Sequence, residues 1–336
     1  MSITFQVLGT ADGDNAMFVQ VDSGQSVERL LFDCGEGCLS SLPFGEILSL
    51  DQVFFSHLHM DHIAGFDSFF RATFNRTSKP NQLWGPPDTA RILQHRFQGV
   101  LWNLQEEMTG SWRVCEVHPE EIQSARFELP EAFATRHEEA PRPRQRVIWE
   151  GVGVTVEAVT MEHRTPTLAY IIREKPRRNV DLTRLAALGL RPGPWMKNLK
   201  EASESATTVE IEGSMHSLED LREKLIVETS GDTLAYLTDF LLDEAAMERL
   251  ILALQGCRVI VCEGQYRHSD LDLAKKNFHM TTVLSATLAQ RAQVDELVLF
   301  HLSDRYGREE WLEMLAEARE IFPNARFPTH WELGNA

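Results

Sequence analysis

Side chains that bind metal ions are concentrated in one short stretch of the sequence, at His57, His59, Asp61 and His62. The stretch follows the apolar residues 53–55, so it is predicted to be a buried strand that ends in a ligand-rich turn. Residues two apart on an extended strand point the same way, so the first two histidines can bind one ion while Asp61 and His62 bind a second. Imidazole nitrogen and carboxylate oxygen suit zinc, and also manganese or iron. An open site of this kind holds water, which predicts hydrolysis.

Other chemically suited side chains occur where predicted strands end. The strand ends of this kind are at His57, Asp239, Glu263 and His301. In layered α/β folds, polar residues at one set of strand ends line one cleft, so we expect these side chains to meet there. His163 lies in a predicted turn between two strands, which is a position suited to a further ligand. Asp33 follows another apolar strand and is placed to orient a metal-bound histidine.

The elements that must position these residues alternate between strands and helices. Three strands are predicted within residues 3–37, and residues 116–159 are mostly strand-like. Helical spacing of apolar residues predicts helices over residues 63–74, 89–104, 243–254, 275–293 and 311–321. His279 is expected near the start of the fourth of these helices.

The composition indicates a folded chain with reduced thiols. Of the 336 residues, 43% are hydrophobic, which is enough for one large core or two smaller ones. There is no basic and apolar N-terminal signal region and no apolar run of about 18 residues, so we expect a cytoplasmic protein without a membrane-spanning segment. The five cysteines mostly lie in apolar, strand-like contexts and are expected to be reduced core residues.

The charge of the chain is distributed unevenly. The net charge of −17 argues against nonspecific binding of nucleic acid by the surface as a whole. Residues 173–200, however, hold eight basic and two acidic residues, a local charge of +6. The wider segment, residues 173–228, is basic first and then rich in Ser, Glu and Thr, and its patterning is the least regular in the chain. This segment is therefore predicted to be an inserted arm outside the core.

These motifs resemble those of the metallo-β-lactamase-fold hydrolases and, within them, the short form of ribonuclease Z, the endoribonuclease that trims the 3′ trailer of precursor transfer RNA. Residues 57–62 match the superfamily signature. The more specific matches are residues 8–10, 32–37, 84–86, Glu263, 278–282 and 300–306, in the family's order. The resemblance covers nearly the whole chain. It implies an α/β fold, a four-layer αββα sandwich forming a single domain over residues 1–336, with the flexible arm inserted at 173–228.

The resemblance also implies a centre with two zinc ions per chain, with manganese or iron as alternatives. The implied ligands are His57, His59 and His163 for one ion, Asp61, His62 and His301 for the other, and Asp239 as a bridge. Two neighbouring ions suit phosphodiester hydrolysis because they activate water and stabilise charge on the attacked phosphate. Asp61 would in addition orient the nucleophile.

Further roles follow from the same resemblance. His279, paired with Glu263, would protonate the leaving oxygen, because a carboxylate partner keeps an imidazole protonated near neutral pH. Ser303 and Arg305 would hold the scissile or adjacent phosphate, which fits the fork of a guanidinium group. The arm resembles the exosite that binds the elbow of transfer RNA. The exosite residues would be Arg177, Arg178, Arg191, Gly193, Pro194, Lys197 and Lys200.

Two other functions remain open at this point. A phosphodiesterase for small or cyclic phosphodiesters could use the same metal site and would suit the overall acidity. A binding protein of this fold, for RNA or another partner, would have lost the chemistry, although every implied ligand is present. An exposed basic arm that reaches away from its own cleft makes most sense if it serves a neighbouring subunit. We therefore predict a homodimer that acts on precursor transfer RNA.

Overall fold

The chain folds into two compact units in a computed structural model, which describes residues 3–24, 26–103, 105–200 and 207–333. The larger unit comprises Met1–Arg173 and Asp232–Ala336, and the smaller unit is Glu174–Gly231. The smaller unit nearly coincides with the arm placed at residues 173–228 from the sequence.

The first sheet of the larger unit carries the histidine-rich turn. Its strands are β1 (Ile3–Leu8), β2 (Ala16–Asp22), β3 (Val27–Phe32), β4 (Gln52–Phe54), β5 (Asn81–Gly85), β6 (Ser111–Val117), β7 (Glu121–Glu128), β8 (His137–Glu138) and β9 (Arg142–Pro143). Strands β3 to β6 pair in parallel, in chain order. The loops that follow β3 and β4 therefore leave the sheet at the same edge, which brings Asp33 and His57 together.

Short helices cover the outer face of this sheet. They are α1 (Phe44–Leu48), α2 (Met60–Ile63), α3 (Phe66–Thr73) and α4 (Thr89–Phe97). The helix predicted over 63–74 is thus interrupted at Gly65, where a Cβ atom would lie 2.2 Å from the carbonyl oxygen of Gly35. The helix predicted over 89–104 ends at Phe97, followed by Gln98 in helical conformation as the cap and by Gly99.

The second sheet begins with β10 (Val147–Glu150), β11 (Val154–Glu162) and β12 (Pro166–Glu174). The chain then forms the smaller unit, whose elements are β13 (Arg177–Val180), α5 (Leu182–Ala187), α6 (Met196–Lys200), β14 (Thr208–Ile211), β15 (Ser214–Ser217), α7 (Leu218–Leu225) and β16 (Ile226–Thr229). Strand β13 pairs with β16, and β14 pairs with β15, both antiparallel.

The smaller unit has a hydrophobic cluster of its own. The buried members are Leu185, Leu199, Val209, Ile211, Leu218, Leu221 and Leu225. This segment, whose sequence shows little regular patterning, thus forms regular elements around a core of its own. Its elements are only four to eight residues long, which is too short for a helical or alternating period to stand out in the sequence.

The chain returns to the second sheet after the smaller unit. The remaining elements are β17 (Thr233–Leu237), α8 (Glu244–Ala253), β18 (Val259–Glu263), α9 (Leu271–Asn277), α10 (Thr282–Arg291), β19 (Glu296–Phe300), α11 (Arg308–Ile321) and β20 (Ala325–Arg326). Strands β17 to β20 are parallel neighbours, so Asp239, Glu263 and His301 lie at one edge of the sheet. The prediction of a single helix over 275–293 was wrong, because the helix is interrupted between α9 and α10. His279 lies in that interruption.

The two sheets face each other across a shared core. The ring of Phe32 from the first sheet lies 5.5 Å from that of Tyr170 and 5.9 Å from that of Tyr236 in the second sheet. Neighbouring side chains on β3 alternate between this core and the one beneath the outer helices, as Phe32 and Leu31 do. Helices α8, α10 and α11 pack on the other side of the second sheet. The predicted four-layer αββα sandwich is confirmed.

Two further expectations concern thiols and membranes. All five cysteines are buried and unpaired. Within the described ranges, no helix combines the length and the apolar character that crossing a bilayer requires.

Candidate metal centre

The implied ligands come together at the edge where the two sheets meet. They are His57 and His59 after β4, Asp61 and His62 in α2, His163 after β11, Asp239 after β17 and His301 after β19. The ligand atoms form two groups, and within each group every atom lies within 4.8 Å of the others. One group is His57, His59 and His163, and the second is Asp61, His62, Asp239 and His301.

Asp239 lies between the two groups. Its Oδ2 is 3.7 Å from Nε2 of His57 and 3.7 Å from Nε2 of His163, both in the first group. The same oxygen is 3.5 Å from Nε2 of His62, and Oδ1 is 3.3 Å from Nδ1 of His301. A single carboxylate thus faces histidines of both groups, which is the position expected of a bridging ligand.

Asp61 completes the second group from the more open side. Its Oδ2 is 3.4 Å from Nε2 of His62 and 3.4 Å from Nε2 of His301. The side chain of Asp61 is 44% exposed, whereas those of His62 and His301 are buried. The second group is therefore accessible from solvent at Asp61.

Hydrogen bonds on the side away from the ligand cluster fix the orientation of three buried histidines. Nδ1 of His62 lies 2.8 Å from Oδ2 of Asp33, and Nδ1 of His163 donates to the backbone carbonyl of Phe278 at 2.8 Å. Nδ1 of His57 lies 3.1 Å from the hydroxyl of Ser56. Because each Nδ1 is engaged by the protein, each Nε2 is left to face the cluster.

Asp33 is itself held by a buried network. The hydroxyls of Ser56 and Tyr236 donate to its Oδ2 at 2.7 and 2.9 Å, and the amide of Ser56 donates to its Oδ1 at 2.6 Å. Sequence reasoning did not identify Ser56 or Tyr236. Tyr236 is on β17, whose residues are all buried, so no alternation of polar and apolar residues marked the side chain that faces the first sheet.

Three residues of the site have left-handed backbone conformations. The φ angles are 58° at Asp33, 54° at Asp239 and 52° at His301. Residues other than glycine adopt this region at a cost, and such residues cluster at functional sites. The tight turns just after β3, β17 and β19 thus present side chains toward one point.

The charges of the cluster are strongly interdependent. Burial lowers the pKa of His57, and the neighbouring His62 lowers it further. Burial also opposes protonation of His301, but Asp239 and Asp61 outweigh it and raise the pKa of His301 to about 10. The pKa of Asp239 is lowered despite its burial, chiefly by His301 and His62.

The residues present fit divalent metal ions. Nε2 of His62 is buried and makes no hydrogen bond to any described residue, although carboxylate oxygens lie 3.4 and 3.5 Å away. A buried polar atom left unpaired is costly unless something binds it. The donor set of imidazoles and carboxylates, without a thiolate, is that of an open site for zinc, manganese or iron.

The His279–Glu263 pair lies beside this cluster. Nδ1 of His279 is 2.9 Å from Oε2 of Glu263 and 3.8 Å from Oδ2 of Asp239. Glu263 is fully buried, and its Oε1 accepts a hydrogen bond from the amide of Met280. Burial lowers the pKa of His279, but the charge and hydrogen bond of Glu263, together with the charge of Asp239, outweigh this, and the net pKa is raised.

The two phosphate-binding candidates follow His301 in the chain. The hydroxyl of Ser303 accepts a hydrogen bond from Nε of Arg305 at 3.3 Å. The guanidinium of Arg305 lies 5.2 Å above the ring of Tyr266, and that ring is 5.8 Å from the ring of His279. Arg305 is thus connected to the His279–Glu263 pair through Tyr266, which sequence reasoning did not identify.

The exosite candidates of the smaller unit are largely engaged by acidic residues of the same unit. The ion pairs are Arg177 with Glu174, Arg178 with Glu228 and Arg191 with Glu212. Gly193 and Pro194 precede α6, where their carbonyls accept from the amides of Met196 and Lys197. The side chain of Lys200 lies outside the described part of the chain. Across Glu174–Gly231 there are nine basic and ten acidic residues, a net charge of −1.

Comparison with known proteins decides the family. The chain is 49% identical over 328 residues to a ribonuclease Z of Deinococcus radiodurans, and the match covers 98% of each chain. The chain belongs to the ribonuclease Z family. A second ribonuclease Z, from Synechococcus sp. strain CC9311, is 31% identical over 339 residues and is covered to 95%. The predicted family is confirmed.

A second family matches part of the same chain. The family described as Anti-Pycsar protein Apyc1 matches residues 3–166. That range includes the histidine-rich turn and His163. It leaves out Asp239, Glu263, His279 and His301.

Solved structures show the same fold at low sequence identity. The metallo-β-lactamase fold protein YhfI of Bacillus subtilis has a TM-score of 0.55 with 16% identity, covering 97% of this chain and 95% of its own. The short form of human tRNase Z has a TM-score of 0.53 with 16% identity, covering 91% and 94%. Yeast PDE1 has a TM-score of 0.56 with 12% identity, covering 97% of each chain. The chain described here therefore has the metallo-β-lactamase fold.

Proposed function

We propose that this member of the ribonuclease Z family is the endoribonuclease that removes the 3′ trailer of precursor transfer RNA, and that it does so at the metal centre described above. The observation that carries the proposal is the position of the His279–Glu263 pair, 3.8 Å from the carboxylate that lies between the two ligand groups. A proton donor beside a two-metal centre is the combination that hydrolysis of a phosphodiester requires.

Two divalent ions are proposed for the centre, with zinc favoured by the imidazole-rich donor set. His57, His59 and His163 would hold one, Asp61, His62 and His301 would hold the other, and Asp239 would bind both. When bound, such ions lower the pKa of water and stabilise negative charge on phosphorus.

The chain's own residues supply the proton transfers. His301 and His62 each place Nε2 3.4 Å from Oδ2 of Asp61. These imidazoles outweigh the burial of Asp61 and keep its pKa low, so its carboxylate is ionised and can orient an attacking water. His279 uses Nδ1 toward Glu263, which leaves Nε2 to donate a proton to the leaving oxygen. Its raised pKa keeps that proton in place near neutral pH.

Binding of the RNA is proposed to involve both units. Ser303 and Arg305 would contact the scissile or adjacent phosphate, since a guanidinium matches phosphate oxygens. The smaller unit would contact the RNA through a local basic patch, because its overall charge is close to zero and its arginines are mostly paired. Arg191 supports this best, as its side chain is 88% exposed and 3.8 Å from Glu212.

A homodimer and a reducing compartment complete the proposal. The dimer is inferred from the inserted smaller unit, which can serve a neighbouring subunit, and light scattering at micromolar concentration tests it. A monomer mass would contradict the dimer and leave the proposed chemistry untouched. Five buried, unpaired cysteines support the cytoplasm as the place of action.

The decisive experiment is cleavage of a precursor transfer RNA with a 3′ trailer. The zinc-loaded protein should release the trailer, and Asp61→Ala should abolish release. Asp67→Ala is the matched control, because Asp67 is an exposed carboxylate that pairs only weakly, with Arg96 at 3.2 Å. Absence of cleavage by the loaded protein would contradict the proposal.

A phosphodiesterase for cyclic or other small phosphodiesters is the second candidate. The near-neutral smaller unit and the net charge of −17 favour it, since neither attracts a polyanion. The catalytic efficiencies on a cyclic nucleotide and on precursor transfer RNA distinguish the two. A higher kcat/KM on the cyclic nucleotide would favour the second candidate.

A further inference from the structure

The buried amide of Asn15 connects the turn after β1 to the backbone of His301. Asn15 is 2% exposed and immediately precedes β2. Its Oδ1 accepts a hydrogen bond from the amide of His301 at 3.2 Å. The two residues are 286 positions apart and flank strands of different sheets, β2 and β19, so this bond connects the two sheets at the metal centre.

The amide nitrogen of the same side chain also has hydrogen-bond partners. Nδ2 of Asn15 donates to the carbonyl oxygens of Leu8, Thr10 and Asp14 at 3.4, 3.0 and 3.1 Å. Carbonyl oxygens need a donor and the amide of His301 needs an acceptor, so the partners fix the orientation of the carboxamide. An aspartate of the same shape would meet three carbonyl oxygens without a donor.

The turn that carries Asn15 has independent anchors. The carbonyl of Gly9 accepts from Nε1 of Trp331 at 3.1 Å, and Oδ2 of Asp14 accepts from the amide of Glu36 at 2.8 Å. Gly9 has φ 87°, and a Cβ there would lie 2.1 Å from the carbonyl oxygen of Asp14. The turn is therefore a fixed support from which Asn15 reaches His301.

His301 needs such a support. It follows the last residue of β19, has φ 52°, and directs its ring toward Asp61 and Asp239. We propose that Asn15 is a positioning residue, which holds the His301 backbone in this conformation and thereby sets the imidazole in the second ligand group. The inference rests on the proposed metal centre, and it assigns a role to a residue that contacts no implied ligand atom.

The test is zinc affinity of Asn15→Ala, measured by competition with a chelating dye. Residues that orient metal ligands typically contribute 10–100-fold to metal affinity. We expect one zinc-binding step to weaken by about 10- to 100-fold while the other changes by less than about twofold. Hydrolysis of bis(p-nitrophenyl) phosphate at limiting zinc should fall in parallel.

Asn81→Ala is the matched control. Asn81 is 3% exposed, accepts from Nε of Arg76 at 2.9 Å and donates to the carbonyl of Thr73. It is the first residue of β5 and thus lies at the edge of the sheet opposite the ligands. Its replacement should lower the melting temperature, as Asn15→Ala should, and leave both zinc-binding steps unchanged. Unchanged zinc binding by Asn15→Ala, or equal weakening of both steps in the two variants, would overturn the inference.

Asn15→Asp decides the question if Asn15→Ala does not fold. It keeps an oxygen for the amide of His301 and loses the donor to the three carbonyls. We expect a lower melting temperature with zinc steps weakened less than about tenfold, and a larger loss would overturn the inference. None of these measurements involves RNA. Wild-type protein that binds no zinc would instead refute the metal centre itself.

Discussion

His62 and Asp33 form a buried pair behind the metal centre, with Nδ1 of His62 2.8 Å from Oδ2 of Asp33. Neither side chain is exposed beyond 2%. Because the carboxylate engages Nδ1, the imidazole presents Nε2 to Asp61 and Asp239. The identity of the ligand atom is thus set by a residue that binds no metal itself.

Replacing Asp33 should therefore weaken metal binding. Asp33→Ala is expected to lower zinc affinity by about 10- to 100-fold, because His62 loses its fixed orientation. Calorimetric titration of the metal-free protein with zinc measures the effect. Asp51→Ala is the control, since Asp51 likewise accepts from a backbone amide, that of Arg29 at 2.8 Å, but precedes β4 instead of following a strand. Wild-type zinc affinity in Asp33→Ala would contradict this role.

The proton donor should matter only when the leaving group needs a proton. His279→Ala is expected to lower kcat on precursor transfer RNA by about 10²- to 10⁴-fold. Hydrolysis of bis(p-nitrophenyl) phosphate should change far less, because nitrophenolate leaves without a proton. Single-turnover rates on both substrates, with zinc content measured alongside, provide the test. Equal losses on both substrates would show that His279 acts on the metal centre instead.

The pH profile should depend on Glu263. Its charge raises the pKa of His279 against the effect of burial, so removing that charge lowers the pKa. The rate of trailer cleavage requires protonated His279, and its decline at alkaline pH should begin at lower pH in Glu263→Gln. A pH–rate profile of the two proteins checks this. An unchanged alkaline limb would exclude His279 as the group that titrates there.

Protonation of His301 links pH to stability in the chelator-treated chain. The pKa of His301 is raised from 6.5 to about 10, as burial is outweighed by Asp239 and Asp61. A group with a raised pKa stabilises the fold fully below its unfolded pKa and loses that contribution as pH rises through the folded value. The melting temperature should therefore fall between pH 6.5 and about 10. Zinc affinity should rise over the same range, because zinc displaces the proton.

His301→Gln is the control for this pH dependence. It removes the titrating ring, so the fall in melting temperature over that range should become smaller. A wild-type melting temperature that is independent of pH would contradict the proposed charge state of the cluster.

The ligand turn and the strand-end residues were predictable because they are local. His57, His59 and His62 are close in sequence, and parallel strands bring Asp239, Glu263 and His301 to one edge without knowledge of the packing. Contacts between sheets were not predictable in this way. The hydroxyl of Tyr236 donates to Asp33 across 203 residues of sequence, and only the packed sandwich creates that bond.

Two local features also escaped sequence reasoning. Residues 275–293 have helical apolar spacing on both sides of the break, and the left-handed Phe278, with φ 60°, was not marked by a glycine or proline. The small core of the smaller unit is built from a few apolar residues on elements of only four to eight residues, so any period repeats only once or twice in each element. Periodicity detects neither the four-residue interruption at 278–281 nor a four-residue strand.

The smaller unit should affect RNA but not small substrates. Arg191→Ala is expected to reduce the slope of log affinity against log salt by about one for precursor transfer RNA, as expected when one phosphate contact is lost. Filter binding at several salt concentrations measures the slope. Arg91→Ala is the control, because Arg91 is an exposed arginine that pairs with Asp88 in the larger unit. An unchanged slope would remove Arg191 from the RNA-binding surface.

A complete excision of the smaller unit is geometrically feasible. Arg173 pairs with Thr233 in antiparallel register, so the strand ends β12 and β17 are already adjacent. A short glycine turn can therefore replace the unit. The shortened protein should retain hydrolysis of bis(p-nitrophenyl) phosphate and lose efficiency on precursor transfer RNA.

The central claim is that two groups of ligands, joined at Asp239, form one metal centre that cleaves RNA. Trailer release from precursor transfer RNA should be measured on chelator-treated protein as zinc is added from zero to two equivalents per chain. The account predicts no release without zinc and full activity only as the second equivalent binds, with Asp239→Ala inactive throughout. Trailer release that persists without metal, or that is absent with two zinc ions bound, would contradict it.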